Sequence, residues 1–129
     1  MNPQCSPAAL DFAVTSVHRQ AIVEKASRVS LASAEDYSAV KRSHLDTHRK
    51  CAAVGVDFFP MVAETSGAWS RGAMGILGQI CRCIAHQRGA DVNQQFSSAL
   101  ERLSVIFRRC QARAWLRRRE QERESYPFQ

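Results

Sequence analysis

The nearly continuous apolar run VDFFPMVAET, residues 56–65, constrains the fold of this chain more than any other feature. An unbroken apolar run of this length is typical of a strand that is buried on both faces, as in sheets covered by helices on each side. Pro60 conflicts with a central position in such a sheet, because proline cannot donate a backbone hydrogen bond. We therefore expect this strand to lie at a sheet edge or to contain a bulge at Pro60.

Hydrophobic periodicity predicts one further strand and three main helices. ALDFAVTSV, residues 9–17, alternates as a strand does, with Phe12 and Val14 on one face and Asp11 on the other. Helices are predicted at 34–54, 70–86 and 93–122, and a short helix or loop at 20–30. The order strand–helix–strand–helix–helix favours an α-rich α/β fold. We expect a small incomplete sheet of two or more strands, packed with three to four helices that include a long basic C-terminal helix.

The composition indicates a soluble globular protein and excludes several other classes. With 45% apolar and 23% charged residues among 129, the chain has the composition of one globular domain and not of a disordered segment. Its five cysteines are an odd number and its first residues lack the features of a secretion signal, so free thiols in a reducing compartment are expected. No apolar run is long enough to span a membrane. We expect an intracellular protein, nuclear or cytoplasmic, with no signal peptide, transmembrane segment or membrane partner.

The formal charge of +6 is unevenly placed, because residues 101–124 carry eight arginines against four glutamates. A basic block of this kind suits a polyanion, since each neutralised phosphate releases counterions. A solvated helix end explains the same pattern equally well. If the segment binds nucleic acid, the expected contacts are these arginines: Arg109, Arg113, Arg117, Arg118 and Arg119.

A helix over 34–54 places a set of side chains on one stripe, at spacings of four, three, four and three. Its members are Tyr37, Lys41, His44, His48 and Cys51. His44 and His48 have the spacing of zinc ligands on a helix, with Cys51 as a third candidate. Zinc hydrolases of this pattern carry a glutamate directly after the first histidine, where this chain has Leu45. The pattern therefore favours amphipathic or core histidines over a metal site.

A second group of candidate site residues has three members: Asp11 on the first predicted strand, Lys41 on the first long helix and Glu64 on the second strand. Glu64 ends the buried strand, and strand ends open into clefts in α/β folds. Metal-assisted phosphodiester cleavage uses carboxylates to hold a divalent cation, and a positive group to orient water or stabilise charge. These three residues could supply both. The simpler alternative, which spacing alone favours, is a capping aspartate and a strand-end glutamate.

Three segments carry a family resemblance: ALDFAVTS, AEDYSAVKRSHLDT and GVDFFPMVAETSGAWSRGA. In order and spacing they resemble the closing part of the restriction-like, PD-(D/E)XK-type endonuclease region that follows the reverse transcriptase in non-LTR retrotransposon proteins. That family shows a D-x-T-V strand, then a K-x-x-Y or K-x-x-H helix, and then an apolar strand that leads into a glycine-aromatic turn. Here Asp11–Val14, Lys41–His44 and Phe59–Trp69 resemble these motifs, and the resemblance covers roughly residues 8–120.

The resemblance implies that Asp11 is a metal-binding acid and Lys41 the catalytic lysine, with Mg²⁺ as cofactor if the protein is active. Glu64 matches a position that is often acidic, and His44 would contact phosphate or donate a proton. The sequence departs from the family pattern at three points. It has Ala13 in place of the usual threonine and His44 where tyrosine is common, and it lacks the family's upstream Pro-Asp strand. A site that lacks one of its two metal-binding acids is expected to bind the metal ion weakly. We therefore expect a truncated remnant that is inactive or weakly active alone.

The resulting expectation is a DNA-associated, retroelement-derived fragment of three parts. Residues 1–92 form a truncated nuclease-like α/β unit, residues 93–122 form a long basic helix packed on it, and residues 123–129 form a tail. Two alternatives remain. The first is a non-catalytic module that binds nucleic acid or a protein partner through the arginine-rich helix. The second is a reading frame without a selected function.

Overall fold

The computed structural model describes residues 6–125. In chain order the elements are strand β1 (Ala8–Thr15), helices α1 (Val23–Ala26), α2 (Ala32–Ser43) and α3 (Thr47–Ala53), strand β2 (Asp57–Glu64), and helices α4 (Arg71–Arg88) and α5 (Val92–Ser125). The chain divides into two compact units, Met1–Ile80 and Cys81–Gln129, and the sheet lies in the first. The predicted α-rich α/β class, with a small sheet and a long C-terminal helix, is confirmed.

β1 and β2 pair in parallel with an unbroken register along both strands. Exposure alternates along β1: odd-numbered residues are partly or fully buried, and even-numbered residues are exposed. The predicted separation of Asp11 and Phe12 onto opposite faces is therefore confirmed. β1 ends at Thr15, two residues earlier than predicted, because the Ser16 carbonyl accepts a hydrogen bond from the Arg19 N–H and begins a turn.

Pro60 fits this sheet because its missing N–H faces away from β1. At one end of the ladder the Asp57 N–H donates to the Pro7 carbonyl, and at the other the Thr65 N–H donates to the Thr15 carbonyl. The odd-numbered residues of β2 therefore bond to β1, and the even-numbered residues, Pro60 among them, face the outer edge. The predicted edge position is confirmed, and the continuous register shows that no bulge is needed.

β2 is buried along most of its length, as its apolar sequence predicts. Every residue from Pro60 to Glu64 is buried, and Val62 and Ala63 are fully enclosed. α2 and α3 both pack against this strand. Beyond its end the chain turns back, so that Trp69 forms an antiparallel bridge with Ala63 on the outer edge. Because successive side chains of a strand point to opposite faces, the burial of Pro60 to Glu64 shows that both faces of the strand are covered.

The single helix predicted over 34–54 is wrong, because the chain breaks between α2 and α3. Leu45 and Asp46 have left-handed backbone conformations, with φ of 51° and 58°, which an α-helix does not contain. At the break the Thr47 hydroxyl donates to the His44 carbonyl at 2.6 Å. Local bonds of this kind give the backbone an alternative to the helical ladder.

Two acceptors cap the start of α4. The buried Ser70 hydroxyl accepts the Ala73 N–H at 3.3 Å, and the Glu35 carboxylate of α2 accepts the Arg71 N–H at 2.8 Å. These bonds satisfy N–H groups that have no partner within the first turn of a helix. They also tie α4 to α2, and α4 begins one residue after the predicted start.

α5 begins after Asp91, whose carboxylate accepts the Gln94 N–H at 2.8 Å. The helix runs through Ser125 and contains no buried residue. Its partly buried apolar side chains recur at spacings of three and four: Phe96, Ala99, Leu100, Leu103 and Phe107. No helix in the described part of the chain is both long and apolar enough to cross a membrane.

We expect Ser70→Ala to lower the free energy of unfolding by about 1 kcal/mol, because it removes the N-cap acceptor and leaves a buried N–H without a partner. Urea denaturation followed by circular dichroism measures this change. Ser98→Ala, on the exposed surface of α5, is the control and should change the free energy of unfolding by less than about 0.5 kcal/mol. Equal midpoints for Ser70→Ala and the wild type would contradict the capping role.

Candidate functional site

Asp11 and Lys41, both predicted site residues, lie in direct contact. Asp11 is in the middle of β1, and Lys41 is in the last turn of α2. Lys41 Nζ lies 2.9 Å from Asp11 Oδ2. The Lys41 side chain keeps 26% of its surface exposed and that of Asp11 keeps 39%, so solvent and a ligand can reach the ion pair.

The surroundings of Lys41 hold it in the ammonium form. The hydrogen bond to Asp11 raises the pKa of Lys41 above its ordinary value, and the charge of Asp11 acts in the same direction against partial desolvation. Lys41 Nζ also lies 5.8 Å from the ring centroid of Tyr37. An ammonium group can contact a phosphate or stabilise developing negative charge, but it cannot act as a general base.

Glu64, the third residue of the predicted group, does not contact Asp11 or Lys41. In the strand register Asp11 is opposite Pro60, so Glu64 is four residues further along β2, a distance of about 13 Å. Its buried carboxylate makes other contacts. Oε1 accepts the Ala34 N–H at 3.3 Å, and Oε2 accepts the Ser66 hydroxyl at 3.4 Å. Glu64 therefore caps the N-terminus of α2, where the helix dipole stabilises a negative charge.

The predicted alignment of the two histidines with Lys41 on one helical stripe is wrong. His44 and His48 lie on either side of the break between α2 and α3, and both are exposed. Within residues 6–125, no three His, Cys, Asp or Glu side chains are grouped so that they could hold a metal ion. The zinc-like spacing of the histidines in sequence therefore does not produce a shared helical face.

The five arginines predicted to contact nucleic acid are all exposed on α5: Arg109, Arg113, Arg117, Arg118 and Arg119. Residues 102–119 of α5, called the basic segment below, carry seven arginines and no acidic residue. Arg109, Arg113 and Arg117 recur every four residues, so they follow one side of the helix at intervals of about 6 Å. The basic segment thus presents a continuous row of positive charge.

The contacts of Arg19 were not predicted from the sequence. The Arg19 guanidinium lies 3.0 Å from an Asp36 carboxylate oxygen and 5.4 Å from the ring centroid of Tyr37. Tyr37 is therefore in contact with two cations, Arg19 and Lys41. Arg19 lies in an irregular segment after β1, where no periodic pattern could have marked it.

Among the large exposed apolar side chains of the basic segment, Trp115 and Leu116 are the most exposed, and neither was predicted as a contact residue. Trp115 is 69% exposed and Leu116 is 59% exposed. Large apolar side chains at this level of exposure are candidates for contact with a ligand or partner. Their signal in the sequence is a tryptophan placed among arginines, a combination found where proteins stack on bases.

The fold and its charges define a class of protein: an α-rich α/β unit joined to a long, exposed basic helix. No known protein family, curated protein or solved structure matches this chain. Its candidate functions therefore rest on the Asp11–Lys41 contact and on the charge of the basic segment.

We expect the stabilising contribution of Lys41 to depend on pH. Because the folded-state pKa is raised, this contribution is fully present below the unfolded-state pKa, about 10.4, and is lost as the pH rises through the folded-state pKa. Lys41→Met should therefore lower the urea midpoint near neutral pH more than it does at about pH 11. Lys50→Met, at an exposed position of α3, is the control. A midpoint difference for Lys41→Met that stays constant across this range would contradict the role of the ion pair.

Proposed function

We propose that this chain is a DNA-associated fragment of the retroelement, restriction-endonuclease-like type, and that it binds DNA through the basic segment. The observation that carries the proposal is an exposed helix with seven arginines and no acidic residue over residues 102–119. Every residue of α5 from position 112 to position 125 is exposed. A positive surface of this kind attracts a polyanion and releases counterions from it.

Phosphate is the chemical group that this surface fits best. A guanidinium group donates two parallel hydrogen bonds to a phosphate, which a lysine ammonium cannot do. Arg109, Arg113 and Arg117 follow one side of α5, so they can contact successive phosphates along one strand. Trp115 offers an aromatic surface on which an unpaired base can stack. Contacts of this kind carry little sequence information, so binding with weak sequence preference is expected.

The salt dependence of DNA binding by the full chain tests this proposal. We expect the logarithm of the association constant for a short labelled duplex to fall linearly with the logarithm of the salt concentration. Replacing Arg113, Arg117 and Arg118 together by glutamine should weaken binding and reduce the slope by about one for each lost phosphate contact. Fluorescence anisotropy measures the binding, and circular dichroism checks that α5 remains helical.

The matched control variant removes three positive charges outside the basic segment. Lys25, Arg28 and Lys50 are exposed and lie outside α5, and the control variant replaces all three by glutamine. We expect this variant to retain most of the affinity and the slope. If the two triple variants weaken binding equally, net charge and not the basic segment determines binding, and the proposal is wrong. Absence of DNA binding by the wild type at low salt would also contradict it.

The contact between Asp11 and Lys41 favours a second candidate function, that of a metal-dependent endonuclease remnant. A strand and a helix bring together the two residues that the family resemblance marks as metal-binding acid and catalytic lysine. In such a site Asp11 would hold a Mg²⁺ ion, whose chemistry would be activation of water and neutralisation of phosphate charge. The lysine ammonium would contact the same phosphate.

The described residues do not fit a Mg²⁺ site on their own. Mg²⁺ is usually held by one or two carboxylates together with substrate phosphates. Asp11 already accepts a hydrogen bond from Lys41, and an ammonium group 2.9 Å from the carboxylate opposes a divalent cation there. Glu64 is bound to the start of α2 and cannot act as the second acid. We therefore propose that the chain alone is inactive or weakly active as a nuclease.

Cleavage assays in Mg²⁺ test this second candidate. Nicked, branched and linear DNA should remain intact when incubated with the wild-type chain. Cleavage that disappears in both Asp11→Ala and Lys41→Ala would establish an active nuclease and overturn the expected inactivity. Cleavage that persists equally in both variants would come from a source other than this pair, and would leave the Asp11–Lys41 contact without a catalytic role.

A further inference from the structure

We infer that the outer edge of β1 is a self-association surface, at which β1 of a second copy of this chain pairs antiparallel about Phe12. β1 pairs with β2 along one edge, and within residues 6–125 no segment pairs with its other edge. An open strand edge presents a row of backbone donors and acceptors that another strand can satisfy.

The hydrogen bonds at the ends of the ladder identify which groups lie on the open edge. The Pro7 and Thr15 carbonyls accept hydrogen bonds from β2, so the odd-numbered residues of β1 face β2. The backbone N–H and C=O groups of the even-numbered residues therefore face outward. These residues also carry exposed apolar side chains, with 39% of Leu10, 59% of Phe12 and 55% of Val14 exposed.

The two edges of the sheet differ in how they are protected. On the outer edge of β2, Pro60 removes a donor, and the returning chain covers the strand end through the Ser70 N–H, which donates to the Val62 carbonyl. Between Ala8 and Thr15, β1 has no proline, no lysine and no bulge, the devices that commonly keep an edge strand from pairing. The edge of β1 thus lacks these three devices, and its one charged side chain, Asp11, is paired with Lys41.

β1 is self-complementary when two copies run antiparallel with Phe12 opposite Phe12. Leu10 then lies opposite Val14 of the second copy, so apolar side chains meet on one face. On the other face Asp11 lies opposite Ala13 of the second copy, which keeps the two carboxylates out of direct opposition. Because residues 10, 12 and 14 direct their backbone groups to the open edge, these pairs are all of the hydrogen-bonded kind.

The absence of net charge on this edge favours a second copy over a polyanion as its occupant. Asp11 is the one charged residue of β1, and Lys41 neutralises it. A neutral edge does not repel an identical strand, and it offers nothing to a polyanion. Pairing also extends the sheet from two strands to four. The dimer is closed, because both copies use the same edge of β1.

Sedimentation equilibrium of the full chain over a range of concentrations tests the proposal. We expect a monomer–dimer equilibrium in which Val14→Lys raises the dissociation constant about tenfold or more, because it places a charge in the apolar row. Val54→Lys, at a position 74% exposed outside the sheet, is the matched control and should leave the equilibrium unchanged. A monomer at every concentration, or a dimer that Val14→Lys does not weaken, would overturn the proposal.

Introduced thiols test the register. Phe12→Cys places two thiols opposite each other, with Cα atoms about 5.5 Å apart, a separation that a disulfide spans. Leu10→Cys places its two thiols four residues apart along the paired strands, about 13 Å, which a disulfide cannot span. After mild oxidation, peptide mapping should find a disulfide between the two copies of position 12 and none between the two copies of position 10. Equal yields at the two positions would overturn the antiparallel register about Phe12.

Discussion

The parallel pairing of β1 with β2 is the constraint on which the rest of the unit Met1–Ile80 depends. Two strands alone bury little surface, so β2 obtains its burial from α2 and α3, and β1 contributes one partly buried face. The register decides which residues of β1 meet α2. It brings Asp11 to 2.9 Å from Lys41 and leaves Phe12 exposed. The ion pair and the open edge are therefore two consequences of one pairing.

The same pairing explains why the strand ends are not available to an anion. In α/β folds, anions bind beyond the carboxyl ends of parallel strands, at the N-terminus of a helix. Here β2 ends at Glu64, and the Glu64 carboxylate accepts the Ala34 N–H in the first turn of α2. A phosphate at this place would have to displace a buried, hydrogen-bonded charge. This is a physical reason to propose that any phosphate contacts are made by the exposed arginines of α5.

The elements that the sequence predicts well are those with a long or unbroken pattern. The apolar run of β2 and the three-and-four spacing of α5 each specify an element without outside information. The break between α2 and α3 was not predictable in this way, because the sequence around it is compatible with helix, and bonds such as that of the Thr47 hydroxyl compete locally with the helical ladder. The separation of Glu64 from Asp11 depends on the register between two strands, which no local pattern contains.

Dimerisation through β1 would change how the basic segment acts on DNA. A dimer carries two basic segments, so once the first is bound, the second binds as an intramolecular event at an effective concentration set by the chain between them. Each copy also carries a formal charge of +6, so two copies repel one another at low salt until a polyanion neutralises them. If both proposals hold, DNA long enough for both segments would bind the dimer more tightly than the monomer, and by linkage it would strengthen the pairing of the two β1 strands by the same factor.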